Sequence, residues 1–191
     1  MEKVELNKDI KLSPHFTLGE LTKTKYVTED GNIPSRVVIE NLIRVCGWLE
    51  ELRVLAGVRP QSKVCAGVRP QSKVAGDCTL APDPGAALDP GAAPSARKEV
   101  PIVINSGYRS PEVNRLAGGA ANSNHLSGCA VDIRCAGKEQ MIRYASILLD
   151  IADGSKQEYD ELLLEQHGSV CWLHFAVRPK ENRRIIRFLR V

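Results

Sequence analysis

The 191-residue chain lacks several features that would have fixed its class at once. It has no apolar run long enough to cross a bilayer, so no membrane span is expected. Its first residues, Met1-Glu2-Lys3-Val4-Glu5-Leu6-Asn7-Lys8-Asp9, lack the apolar core of a secretory signal. Synthesis in the cytoplasm without a signal peptide is therefore the expectation. It has no CxxC pair: Cys46, Cys65, Cys78, Cys129, Cys135 and Cys171 fall into no metal or disulfide framework. Reduced, mostly buried thiols are the simplest reading. It also lacks a charge excess, with 26 Lys and Arg against 23 Asp and Glu for a net charge of +3. That balance argues against a nucleic-acid partner, while mild basicity is compatible with an anionic polymer.

What is present is ordinary for a globular protein: 43% apolar and 26% charged residues, with enough chain to build a core without staples. Phe16-Thr17-Leu18-Gly19-Glu20-Leu21-Thr22 carries a capping-box pattern, Thr17 with Glu20 three residues on. Between Arg36 and Leu55, Val37, Val38, Leu42, Ile43, Val45, Trp48, Leu49 and Leu52 recur at helical spacing and predict one long amphipathic helix. After about residue 100, Val100-Asn105 reads as a short strand and Ser110-Pro111 as the capped start of a helix ended by Gly118-Gly119. Ala130–Arg134 reads as a strand, Lys138–Asp153 as a second amphipathic helix, and Glu161–Glu165 and Val170–Val177 as paired strands. Arg183–Val191 is placed at a sheet edge. Neighbouring strands late in the chain predict an α+β fold: a small antiparallel sheet flanked by helices.

One segment does not fit this pattern. Ala56-Gly57-Val58-Arg59-Pro60-Gln61-Ser62-Lys63-Val64 recurs as Ala66 to Val74, and Asp83-Pro84-Gly85-Ala86-Ala87 recurs as Asp89 to Ala93. Two short copies of each unit are too few for a solenoid, and the composition offers little apolar surface to offset ordering entropy. The organisation expected is an N-terminal helical part over 1–56, a flexible Pro/Gly/Ala-rich insertion over 57–99, and a metal-binding core over 100–191.

The chemistry is concentrated in Ser123-Asn124-His125-Leu126-Ser127-Gly128-Cys129-Ala130-Val131-Asp132 and in Trp172-Leu173-His174. Two imidazoles and a carboxylate are the donor set of a catalytic zinc site that leaves one position open for water, and such a water becomes a hydrolytic nucleophile near neutral pH. His125 and Asp132 are seven residues apart, and a turn at Ser127-Gly128 folds them onto one ion, with Gly128 allowing close backbone approach. Strand alternation puts Trp172 and His174 on one face. His174 alone would read as a core histidine; with His125 and Asp132 it completes a ligand set. Cys129, Cys135 and Cys171 lie near these residues in sequence, so a thiolate ligand or an oxidation-sensitive thiol stays open.

Ser-x-His-x-x-Gly-x-Ala-x-Asp with a later Trp-x-His resembles the zinc D-Ala-D-Ala carboxypeptidases and related peptidoglycan endopeptidases, phage endolysins among them. The likeness extends to Ser106-Gly107-Tyr108-Arg109-Ser110-Pro111, Asn114-Arg115, Gly118-Gly119, Asn122-Ser123, Phe16-Thr17-Leu18-Gly19-Glu20-Leu21 and Asn182-Arg183. It covers roughly residues 14 to 55 and 100 to 191. The resemblance implies a Hedgehog/DD-peptidase-like fold, a Zn2+ cofactor held by His125, Asp132 and His174, and a peptidoglycan stem peptide as substrate. It further implies a monomer whose site of action is the cell wall. It also implies that Arg109 binds a substrate carboxylate or carbonyl, a task suited to its rigid fork, with Ser123 beside it. Ser106 and Ser123 read as braces for their loops rather than as nucleophiles.

Many members of this family carry Glu or Asp three residues before the last histidine, where this chain has Cys171. Others carry a small residue there with a Leu-x-x-Glu strand upstream, and Leu162-Leu163-Leu164-Glu165 fits that form. Glu165 is the candidate general base, a strand-end surface carboxylate is the competing reading, and His167 is a further candidate. Three functional readings follow: a zinc peptidase acting on wall peptides, a catalytically weak or inactive zinc-bearing module that binds wall peptide or a partner, and a cysteine hydrolase using Cys171 with His174.

Overall fold

Alternation along three strands organises the molecule. A computed structural model describes residues 7–57 and 101–190. The element order is α1 (Leu18–Leu21), α2 (Arg36–Ala56), β1 (Ile104–Ser106), α3 (Pro111–Leu116), a 3-10 turn (Asn124–Ser127), β2 (Ala130–Cys135), α4 (Lys138–Ser155), β3 (Glu161–His167), β4 (Val170–Ala176) and β5 (Ile185–Arg190). The expected insertion lies almost wholly outside the described residues, as do Cys65 and Cys78.

The strands form one sheet in the order β1-β2-β4-β3-β5. The α+β class stands, with one correction to the antiparallel expectation: β5 runs parallel to β3, pairing Glu161 with Ile185 and Gln166 with Arg190. The sheet is mixed because β4 turns back to lie between β2 and β3, so the returning chain reaches the free edge of β3 running in the same direction as that strand. β1 also runs later than the sequence suggests, since residues 101–103 are not in a strand and Ser106 is; Val100 lies outside the described residues.

One face of the sheet is apolar. Val131, Ile133 and Cys135 of β2, Cys171, Leu173 and Phe175 of β4, and Leu162 and Leu164 of β3 all enter the buried core. They meet Val45, Trp48, Leu49 and Leu52 of α2 and Tyr144 and Leu148 of α4. Trp48 and Phe175 are in ring contact, centroids 5.2 Å apart. Burial of a side chain such as Phe175, fully inaccessible here, stabilises by roughly 1.5–3 kcal/mol.

The helices begin where the sequence signals place them. Thr17 accepts from the Glu20 backbone while the Glu20 carboxylate accepts from the Thr17 N–H, closing the capping box of α1. Ser35 caps α2 and Ser110 caps α3, with Pro111 at its first position. The α2 stripe is narrower than the periodicity implies, because Val37 and Ile43 are exposed.

Candidate metal centre

The opposite face of the same strands carries the polar groups. Cross-strand register pairs Asp132 with His174 and His174 with Leu163, and pairs Arg134 and Glu165 with Trp172. Asp132 and His174 are thus directly opposed on adjacent strands, so backbone pairing alone brings their side chains within reach. His125 arrives from the 3-10 turn. Ser123 caps that turn and accepts a hydrogen bond from the His125 N–H at 3.3 Å. Gly128 ends it in the left-handed conformation (φ 69°), and a Cβ there would meet Val38 Cγ1 and the Val38 carbonyl, each at 2.8 Å. The close approach expected of Gly128 is therefore made against α2.

His125, Asp132 and His174 are all buried, and one ligand atom from each lies within 4.8 Å of the others. His125 Nε2 is 3.2 Å and His174 Nδ1 is 2.9 Å from the same Asp132 oxygen, Oδ1. On its other nitrogen, His125 Nδ1 is 2.6 Å from the Gly107 carbonyl. A carbonyl only accepts, so Nδ1 carries the hydrogen and a neutral ring turns its Nε2 lone pair toward Asp132. Burial lowers the pKa of His125, and the nearby Asp132 charge only partly opposes this. Burial pushes Asp132 upward, but charge and hydrogen bonding from His125 and His174 outweigh it and hold the carboxyl well below its usual range. A lone pair and an anionic oxygen then face each other, an arrangement that a cation between them satisfies. Thus the three residues predicted from sequence do come together, and their donor chemistry fits a metal ion.

The second arrangement around the centre fixes its outer side. Arg109 donates through Nε to Ser106 Oγ at 2.8 Å and through Nη2 to Asp132 Oδ2. It therefore grips the carboxylate oxygen that faces away from the histidines. His174 Nε2 lies 3.6 Å from Glu161 Oε2. Burial lowers the His174 pKa, but hydrogen bonding to Asp132 and Glu161 prevails and pushes it up to about 9. Glu161 is itself held by Asn124 Nδ2 at 2.9 Å and Arg183 Nη2 at 2.7 Å.

Sequence reasoning missed Glu161, Asn124, Asp160 and Arg178. Asp160 is fully buried and accepts from Asn124 at 2.8 Å and from Arg183 at 2.7 and 2.8 Å, with Arg178 Nε 3.0 Å away. Burial pushes Asp160 upward, but hydrogen bonds from Arg183 and Asn124 bring it below its ordinary value. Only Glu161 carried a usable signal: it is two residues before Leu163 and four before Glu165, on the face that period-2 alternation assigns to Glu165.

Glu165 lines the same cleft of about 590 Å³ as the three candidate ligands, together with Arg109, Ser123 and His167. Burial raises its pKa, with His174 opposing. Cys171 is placed differently. It is an odd number of residues from His174, so it points into the apolar core, where it is 4% exposed and opposite Cys135. That orientation removes the cysteine-hydrolase reading. The four described cysteines, Cys46, Cys129, Cys135 and Cys171, are free and buried as expected, and none belongs to the metal-binding group.

Among the described residues, no helix is long and apolar enough to cross a membrane. Comparison with curated proteins found no match to the chain. Comparison with protein families found one: residues 91–157 match the family described as Peptidase M15, a span that contains Arg109, His125 and Asp132 and stops before His174. The chain is thus similar to Peptidase M15 over that span, which carries two of the three candidate ligands.

Proposed function

We propose that this protein is a zinc-dependent peptidase that hydrolyses peptide bonds in bacterial cell-wall peptidoglycan, as a D-Ala-D-Ala carboxypeptidase or an endolysin-type endopeptidase. The observation that carries the reading is the convergence of His125 Nε2 and His174 Nδ1 on one Asp132 oxygen. For ligands at about 2.0–2.2 Å from zinc, tetrahedral geometry separates donor atoms by about 3.3–3.6 Å. The separations of 3.2 and 2.9 Å are close to that, so small side-chain shifts would admit the ion. When bound there, zinc supplies a Lewis acid and lowers the pKa of a coordinated water.

The chain's own residues divide the remaining work. Gly107 fixes the His125 tautomer through its carbonyl, and Glu161 favours a hydrogen on His174 Nε2, leaving Nδ1 free to ligate. Arg109 spends Nε and Nη2 on Ser106 and Asp132, and its Nη1 remains to orient a substrate carboxylate or carbonyl. Ser123 shapes the ligand turn and borders the cleft that the substrate enters. Glu165 is the residue that holds and moves a proton at its carboxyl group. It stands on the cleft face, and burial raises its pKa toward the range useful for that task.

Purified protein incubated with peptidoglycan should release peptides, read by mass spectrometry, in a manner that a chelator stops and zinc restores. Undiminished release in chelator would reject the proposal. The orientation of Cys171 favours one second reading, a wall-peptide-binding module without turnover, because the usual shuttle position faces the core. Zinc and muropeptide binding with no release of peptides across mildly acidic to mildly basic pH would select it.

A further inference from the structure

Beside the metal centre lies a second groove of about 510 Å³, and Arg109 borders both. It runs between the Lys23–Tyr26 segment after α1, strand β1 and the Val113 and Ala117 side of α3. Four cations line it: Lys23, Lys25, Arg109 and Arg134. Among the described residues no acidic side chain lines it. Lys23, Lys25 and Arg134 are exposed and make no ion pair with any described residue. Arg109 is paired with Asp132, but the charges of Lys23, Lys25 and Arg134 are not neutralised by any described acid, and a cleft concentrates such a field on whatever enters it.

Each end of the groove adds information. At the end shared with the metal centre, Arg109 has two of its three nitrogens committed and Nη1 directed to no described partner. Away from it, Arg134 stands two residues beyond Asp132 on the same face of β2, so the cationic track continues directly from the ligand strand. Tyr26 and Val113 give the groove apolar surface against which the body of a side chain can lie.

Resting on the peptidase reading, we propose that this groove is a substrate subsite for an acidic, carboxylate-bearing stretch of the peptide whose scissile bond sits at His125, Asp132 and His174. Continuity through Arg109 favours a peptide over a separate polyanion, because one extended chain fills both clefts. Guanidinium forks at Arg109 and Arg134 match carboxylates in paired hydrogen bonds.

The test uses two fluorescent peptides that differ only in having Glu or Gln at the positions flanking the cut, and the wild-type protein beside the triple variant Lys23→Glu, Lys25→Glu, Arg134→Glu. Binding is read by anisotropy on the His174→Ala background, where no cutting intervenes, and KM is read on the active protein. The acidic peptide should bind wild type more tightly by about 1.5- to fivefold per engaged cation, an advantage reduced by salt. The triple variant should erase or invert that advantage. A milder set, the same positions changed to Gln, should reduce it and guards against a folding defect. An acidic-to-Gln ratio that is equal in wild type and both variants would overturn the subsite. So would a phosphate polymer that binds through these cations while the two peptides bind alike. If charge-dependent binding appears but no peptide is ever cut, the subsite stands and the peptidase reading fails.

Discussion

The two faces of the central sheet are made by the same strands and behave as different materials. On β4, Cys171, Leu173 and Phe175 are packed under α2 and α4, while Trp172 and His174, interleaved with them, border the cleft. On β2, Val131 and Ile133 are core residues and Asp132 between them is a candidate ligand. The apolar face tolerates no polar group without a partner. The cleft face holds charged side chains in reach of one another, and Arg109, His125, Asp132, His174, Glu161 and Arg183 are paired among themselves. A period of two residues thus lets a strand anchor a rigid core and aim ligands with the same backbone pairing. The lesson is that the candidate metal centre inherits its precision from the core beneath it.

Removing a donor should separate the faces most sharply. His174→Ala should lose stoichiometric zinc and all zinc-dependent hydrolysis while keeping a folded circular-dichroism spectrum, since its side chain lies outside the apolar core; zinc retained at wild-type affinity would break the ligand assignment. The converse change, Phe175→Ala, removes a fully buried ring that touches both Trp48 and Tyr159. It should cost about 3–5 kcal/mol in urea denaturation and leave any surviving folded protein able to bind zinc.

Glu161→Gln tests the outer support of the centre. Loss of the carboxylate beside His174 Nε2 should weaken zinc affinity by about 10- to 100-fold, in line with other outer-sphere partners, measured by chelator competition. An unchanged affinity would mean that His174 needs no such support. Gly128→Ala joins the two faces, because the glycine ends the ligand turn while pressed on α2. A left-handed conformation costs an ordinary residue about 1–2 kcal/mol, and displacing Val38 adds to it. The expected result is a lower melting temperature together with weaker zinc binding.

The smallest effect is on pH. Asp160 has a folded pKa below its ordinary value: burial raises it, but Arg183, Asn124 and Arg178 more than compensate. Its contribution to stability is therefore complete above the unfolded aspartate range, near about 3.9, and is lost as pH falls through the lower folded value. Asp160→Asn should flatten this part of the stability profile in acid. A profile that keeps its slope would show that the cluster does not stabilise the fold.

Much of this was legible in sequence because it depends on local signals. Caps at Thr17 and Ser110, the α2 periodicity and the hairpin of β3 and β4 are set within a few residues of the chain. The candidate ligand group was legible for a different reason: His125, Asp132 and His174 carry rare chemistry at a recognisable spacing, and Asp132 and His174 are cross-strand partners. Less visible was anything that depends on long-range register. Glu161 reads in sequence only as the first residue of a strand, and Asp160 carries no signal there. Only pairing with Arg183 and Asn124 gives them a role. The same holds for Cys171, which occupies a familiar position in sequence but points into the core.

The sequence by itself determined which donors exist, where the helices start and which strand residues alternate, since those follow from side-chain chemistry and backbone period. Tertiary structure alone decided that β5 lies parallel to β3, that Arg109 grips the far oxygen of Asp132, and that Lys23 and Lys25 face the same groove as Arg134. These relations join segments separated by tens of residues, and the energies that select them, burial of one sheet face and neutralisation of charge across the other, are summed only when the chain is folded.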